Sequence, residues 1–269
     1  MALIINGQVG WYSGAVKATD PDAAAFISAV SITNPTQISA IDQLVIGLKN
    51  ANLWTKFKAI YPFVGGTAAK HRYNLKIPTT NFSDFYMTFY GFGTHSNNGW
   101  QADGTNSAAD TSIIPSVHMN TNQNNMCFSA YVRNRPKGVL VGTDNNYRTA
   151  LMPNNNGTSG GVMYYPLNTT NSMSRTPAPT NSGFYMNTRS DNTTVKLFRN
   201  GLLYDSTTNV TNGLDNLPIL LGARNGYPAS LYSDNEFAFA SIGSGLTDAE
   251  SLSFYNVVQA YQTTLGRQV

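Results

Sequence analysis

Sugar recognition needs an aromatic face for the apolar side of the ring, and planar amides or carboxylates for its hydroxyls. The segment from His95 to Asp103 offers both, with Trp100 beside Asn97, Asn98, Gln101 and Asp103. Asn145, Asn146 and Tyr147 form a second cluster of the same kind. A structural role competes with this reading. Trp100 would plug the end of a β-sandwich and the amides would serve turns, the ordinary duty of Asn in a chain so rich in it. Either way, a rigid scaffold must present these residues on loops.

Other chemistry is poorly supplied. His71, His95 and His118 are far apart in sequence, and none forms a close pair with Cys or Glu, so no zinc site is expected. Asp103-Gly104-Thr105-Asn106 and Asp144-Asn145-Asn146 carry oxygen ligands that a calcium ion accepts. The same residues build Asx turns without an ion, so turns are the expectation and no cofactor is predicted. Gly157-Thr158-Ser159-Gly160-Gly161 lacks the Lys-Ser/Thr end of a phosphate loop. No Gly-x-Ser-x-Gly elbow occurs. Glycoside hydrolysis needs two placed carboxylates, and the chain holds only two glutamates, Glu236 and Glu250. Asp234-Asn235-Glu236 reads as a strand-edge turn. No enzyme is expected.

Composition narrows the class. Charged residues make up 12% of the 269, roughly half the usual share, and aromatics another 12%. This is not a disordered composition. It suits a loop-rich β protein, with Asn and Gly in turns and Thr and Tyr in strands. A net charge of +3 on scattered cations argues against nucleic acid. Lys49, Lys56, Lys58, Lys70, Arg72 and Lys76 make a mildly basic early region, read as a solvated face rather than a phosphate site. Cys127 is the single cysteine, expected in the core. No window approaches a membrane span. Met1 to Gly7 has no basic n-region, so no ordinary export signal is expected.

The elements that would position the clusters follow from pattern. Residues 1–19 read as an extended arm, apolar at Leu3, Ile4, Ile5, Val9, Trp11 and Tyr12, and suited to an assembly contact. Residues 20–66 read as helical. Asp20-Pro21 and Asn34-Pro35 open two helices, the second with Ile38, Ile41, Leu44, Val45 and Leu48 on one face. A third is expected after Asn52, with Trp54, Phe57 and Ile60 on its face. Residues 67–246 read as a β-sandwich of many short strands, with loops at Thr94–Ser112 and Pro153–Gly160. Residues 247–269 close the domain as a helix, opened by a Thr247/Glu250 capping box and striped by Phe254, Val257, Val258, Tyr261 and Leu265.

Asn200-Gly201 is the strongest local signal. Between two strand-like runs it marks a type I′ hairpin. A two-residue loop pairs Phe198 with Leu203, Leu197 with Tyr204 and Lys196 with Asp205. Val195, Leu197 and Tyr204 would then face the sandwich interior, while Phe198 and Leu203 share the other face beneath a covering helix.

Val195 to Asp205 resembles the hairpin of laminin-G-like and concanavalin-A-like jelly rolls. Two further stretches, Leu53 to Gly66 and Phe237 to Asp248 with its continuation at Phe254-Tyr255 and Gln262 to Gly266, resemble a family of structural proteins of tailed bacteriophages and prophages, particularly of Bacteroidetes hosts. The resemblance covers most of residues 20–269. It implies a mainly β fold, an antiparallel concanavalin-A-like jelly roll with short N-terminal helices and a C-terminal helix. It also implies a virion component of the capsid surface, head fibre, tail or baseplate. Such a protein is assembled in the host cytoplasm among other virion proteins, in a multimeric assembly, and released by lysis. It carries no catalytic residues onto this chain. Host-surface polysaccharide is the candidate ligand. A stand-alone carbohydrate-binding module is the alternative, and a glycan-degrading enzyme a weaker one.

Overall fold

A computed structural model describes residues 2–5, 8–11, 16–119, 123–171, 174–226 and 228–269. In chain order the strands are β1 Ala2–Ile5, β2 Gln8–Trp11, β3 Phe57–Tyr61, β4 Thr88–Tyr90, β5 Thr94–Ser96, β6 Gly99–Gln101, β7 Ala108–Asp110 and β8 Met126–Val132. They continue as β9 Val141–Thr143, β10 Thr149–Leu151, β11 Gly183–Arg189, β12 Thr194–Arg199, β13 Leu202–Thr208, β14 Leu220–Leu221 and β15 Glu236–Gly243. The helices are α1 Pro21–Val30, α2 Pro35–Asn50, α3 Ala68–His71, α4 Pro115–His118 and α5 Asp248–Thr264.

Three layers result. An eight-stranded sheet runs β13-β12-β11-β8-β15-β6-β5, with β3 pairing β15 beside β6. A five-stranded sheet, β10-β9-β14-β7-β4, packs on one of its faces. Helices α1, α2 and α5 pack on the other. The larger sheet is therefore buried on both sides, and every residue of β8 and β11 is buried. That is why their sequences lack clean alternation. Phe128, Ala130 and Val132 point to the inter-sheet core, while Cys127 and Tyr131 point to the helices. Burial pushes the Cys127 thiol up to about 12 and leaves it unreactive.

The helices form where their caps and stripes place them. The Asp20 carboxylate accepts from the Asp22 and Ala23 N–H groups, and the Asn34 side chain accepts from Gln37 N–H. On α5 the Thr247 hydroxyl and the Glu250 carboxylate close a reciprocal box, and Phe254, Val258 and Tyr261 are buried. Thr247→Ala removes one side of that box. It is expected to cost about 1 kcal/mol in a denaturant titration, with an unchanged slope.

Two local expectations need correction. The third helix is a strand. Asn52 takes a left-handed conformation (φ 57°) and ends α2, a short 3-10 turn covers Trp54–Lys56, and Phe57–Tyr61 pairs with β15. Phe57 and Ile60 meet the helices while Ala59 and Tyr61 meet the inter-sheet core, so burial on both faces hides the period of two. Thr94–Ser112 is not one loop but holds β5, β6 and β7. These strands have three residues each, too few to show a period. Within the stretch 1–19, read as an extended arm, β1 and β2 pair with each other, Ile4 opposite Val9. The side chains of Leu3, Ile4, Ile5 and Trp11, and the whole of Tyr12, lie outside the described residues.

The Asn200-Gly201 turn has positive φ at both residues (49° and 75°), and Phe198 faces Leu203 as expected. The next pairs differ. A bulge follows, so Leu197 faces Asp205 and Lys196 faces Ser206. Tyr204 is displaced to the surface, where its hydroxyl donates to the Pro177 carbonyl. The cause is distant in sequence. The Asp205 carboxylate accepts from the Tyr165 hydroxyl at 2.7 Å and is paired with Arg175 at 2.8 Å. Val195 and Leu197 do face the inter-sheet core, and Phe198 lies under the helices.

Candidate functional site

Trp100 does not face solvent. Its side chain is 1% exposed and stacks on Phe237, with ring centroids 5.1 Å apart, between Phe89 and Phe63. Gly93 and Gly222 give it room, since a Cβ on either would come within 2.7 Å of the indole. Its role is the structural one, a plug in the inter-sheet core, and it offers no ring face to a sugar.

The rest of the first cluster is dispersed. Asn97 and Asn98 are exposed at the tip of the β5–β6 hairpin. The Gln101 amide donates to the Ala102 and Asp234 carbonyls. Asp103 organises a turn: its Oδ1 accepts the N–H groups of Thr105, Asn106 and Ser107, each at 2.9 Å. Desolvation opposes ionisation there, but these donors outweigh it and hold the carboxyl well below the usual range.

The second cluster is a loop built on Asp215. That carboxylate accepts from the Thr143 hydroxyl and from the Asn145 and Asn146 N–H groups. Asn145 and Asn146 are exposed, whereas the Tyr147 ring rests on Gly213, where a Cβ would come within 2.4 Å of it. Asp144 is engaged by Arg148 and Arg224. Among the described residues no group of three or more His, Cys, Asp or Glu side chains is placed to hold a metal.

Folding does join two of the histidines. His71 Nδ1 lies 2.9 Å from His95 Nδ1, so one ring donates to the other. Burial, then the neighbouring His95 and Arg267, lower the pKa of His71 to about 3. The pair is neutral and structural at physiological pH.

The arrangement with an open surface lies elsewhere. It is a groove of about 310 Å³ on the outer face of the five-stranded sheet. Tyr90 of β4 faces Ala108 of β7, and Asp110 of β7 faces Leu220 of β14. The segment after β14 folds back through an Arg224–Ser230 bridge and brings Tyr232 to the opposite wall. The floor is apolar, Ala108 and Leu220, and Asn106 and Asn225 add amides. Tyr90 is half exposed, and Tyr232 is partly buried against the floor. Two aromatic rings, two amides and one carboxylate around an apolar floor match what a sugar ring requires. Sequence inspection misses this set because its members come from four separated segments. The only local hint is alternation in β4, which leaves Tyr90 on the face opposite buried Met87.

Asp110 gives the groove a pH signature. Burial raises its pKa above the ordinary 3.8, although its Oδ1 accepts from Ser112 N–H at 2.7 Å. As pH rises, the unfolded chain therefore releases this proton first. The stabilising contribution is complete below 3.8 and is lost as pH climbs through the raised native value. Asp110→Asn keeps the acceptor to Ser112 and removes the ionisation. It should raise the melting temperature at neutral pH, and the gain should vanish in acid.

No protein-family model matches the sequence, and no curated protein matches it. Among solved structures, the chain is similar to Trypanosoma rangeli sialidase in complex with sialic acid, at TM-score 0.51 and 9% identity over 81% of this chain and 38% of that one. It is also similar to domain 4 of AbnA, a GH43 extracellular arabinanase from Geobacillus stearothermophilus, in complex with arabinotriose, at TM-score 0.49 and 16% identity over 74% of this chain and 98% of that one. The botulinum neurotoxin serotype D binding domain is a third, at TM-score 0.47 and 12% identity over 77% of this chain and 52% of that one. The chain thus spans well under two thirds of the sialidase and of the toxin binding domain. At such identities the likeness concerns the fold, a mainly β, antiparallel sandwich of the jelly-roll kind.

Proposed function

We propose that this chain is a glycan-binding sandwich carried on a bacteriophage virion, with the ligand seated in the groove between Tyr90 and Tyr232. The observation that carries the glycan half is the groove itself: an apolar floor flanked by two tyrosines, with Asp110, Asn106 and Asn225 within its lining. Tyrosine supplies a flat apolar face at small entropic cost, and the carboxylate and amides supply acceptors and donors for hydroxyls. The virion half is supported by the resemblance of Leu53–Gly66 and Phe237–Asp248 to phage structural proteins. No nucleic acid, membrane or catalytic role enters this reading.

A glycan array followed by titration of host surface polysaccharide tests the first half. Tyr90→Ala, at a half-exposed position, is expected to weaken binding about tenfold, or 1.4 kcal/mol, with an unchanged melting temperature. Equal binding by the variant would remove the groove from the reading. Immunogold labelling of purified particles tests the second half. Labelled particles are expected, whereas antigen only in the soluble lysate would favour a stand-alone carbohydrate-binding module.

A further inference from the structure

A second pocket, of about 280 Å³, shares no residue with the groove. It lies where the 3-10 turn and the start of β3 meet α4 and the end of β15. Its lining includes Lys56, Lys58, His118, Asn125 and Ser244. We propose that this pocket binds a single oxyanion, a carboxylate or phosphate group, held by the Lys58 ammonium and the His118 imidazole N–H.

The charges decide this. Lys56 is already neutralised by Glu250 at 2.6 Å, and that carboxylate also closes the cap of α5. Lys58 makes no ion pair among the described residues; its ammonium lies over the Phe85 ring, 5.4 Å from the centroid. His118 meets the same ring edge-on at 5.1 Å. Both pocket-lining groups therefore rest on one ring, Phe85, which limits the ordering cost of binding. His118 Nδ1 accepts the Ile114 N–H at 2.9 Å, so the proton of the neutral ring sits on Nε2 as a donor. Burial, then the nearby Lys58 ammonium, keep the pKa of His118 below its ordinary value, so the ring is neutral at physiological pH. The wall is fixed by backbone. Ser244 N–H donates to the Lys56 carbonyl at 2.8 Å, and a Cβ on Gly243 would lie 2.6 Å from that same oxygen. The pocket therefore carries one uncompensated positive charge and a neutral donor, matched to one anionic group. The early run of basic residues in the sequence contributes Lys56 and Lys58 to it, and only Lys58 is uncompensated.

The test titrates the full chain with inorganic phosphate and, separately, with glucuronate, by calorimetry and by NMR of the histidine rings. Saturable binding of either anion is expected, weakened by added salt. Phosphate alone identifies a phosphoryl ligand, and glucuronate alone an acidic sugar. Lys58→Met keeps the stem over Phe85 and should lower affinity about tenfold, the loss of one charge-assisted bond. Lys58→Arg should restore most of it. On the unaltered protein, the His118 resonances should shift and its pKa rise on saturation, while those of His71 and His95 stay put. Binding by neither anion, affinity unchanged in Lys58→Met, or shifts confined to other histidines would each overturn the proposal.

Discussion

Trp100→Ala is expected to destabilise the fold by about 3–5 kcal/mol, the cost of deleting a fully buried aromatic side chain. The indole fills the region where β6 meets β15, stacks on Phe237 and Phe63, and meets the tilted ring of Phe89. Those neighbours are themselves pinned by two sheets, so the void cannot collapse cheaply. At about 2–4 °C per kcal/mol the melting temperature should fall by roughly 10 °C. Glycan binding, measured below that transition, should persist, because the groove does not include Trp100. Lost binding in a variant that melts like the parent would return this residue to the ligand site.

The second large effect is expected at Arg267. Its guanidinium is 1% exposed and has no carboxylate partner within ion-pair distance among the described residues. It donates instead to the carbonyls of Pro62, Phe63 and Ala238 at 3.2, 2.8 and 3.0 Å, and to the Gln262 side chain at 2.9 Å. These bonds fasten the segment after α5 to the end of β3 and to β15. Two effects compete in Arg267→Met. The buried charge disappears, which favours the variant. Pro62 retains the Tyr261 hydroxyl and Ala238 the Gln262 amide, but the Phe63 carbonyl and the Gln262 side-chain oxygen lose the guanidinium, at about 1–3 kcal/mol for each buried acceptor left unpaired. Burial holds the Arg267 pKa below its ordinary value, so hydrogen bonding offsets its desolvation only in part, and the acceptors left unpaired are expected to outweigh that remainder. A net loss of about 3 kcal/mol is expected in denaturant unfolding. An equal or more stable variant would show that the charge, not the carbonyls, dominates.

Local chemistry was legible where a single segment decides the outcome. Asp20, Asn34 and the Thr247/Glu250 box mark helix starts in the sequence and cap them in the structure. The Asn200-Gly201 turn is likewise a property of two residues. Legibility failed where distant partners decide. The bulge that expels Tyr204 answers to Tyr165 and Arg175, about 30 to 40 positions away, and no local pattern contains them. The strand Phe57–Tyr61 looks helical because both its faces are buried. Trp100 carries the composition of a sugar platform, yet its burial depends on Phe237, contributed by the other end of the chain. The groove illustrates the same limit. Tyr90, Asp110, Asn225 and Tyr232 become neighbours only through sheet order and the fold-back after β14.

The central claim, that the groove on the five-stranded sheet holds a glycan, is tested most directly by calorimetric titration of the best array ligand. Wild type, Tyr90→Ala and Asp110→Asn would be compared at neutral pH. Both variants should bind about tenfold more weakly while remaining folded, and Asp110→Asn should also melt higher than wild type. Wild-type affinity in both folded variants, with the ligand still bound, would place the glycan elsewhere and contradict the account.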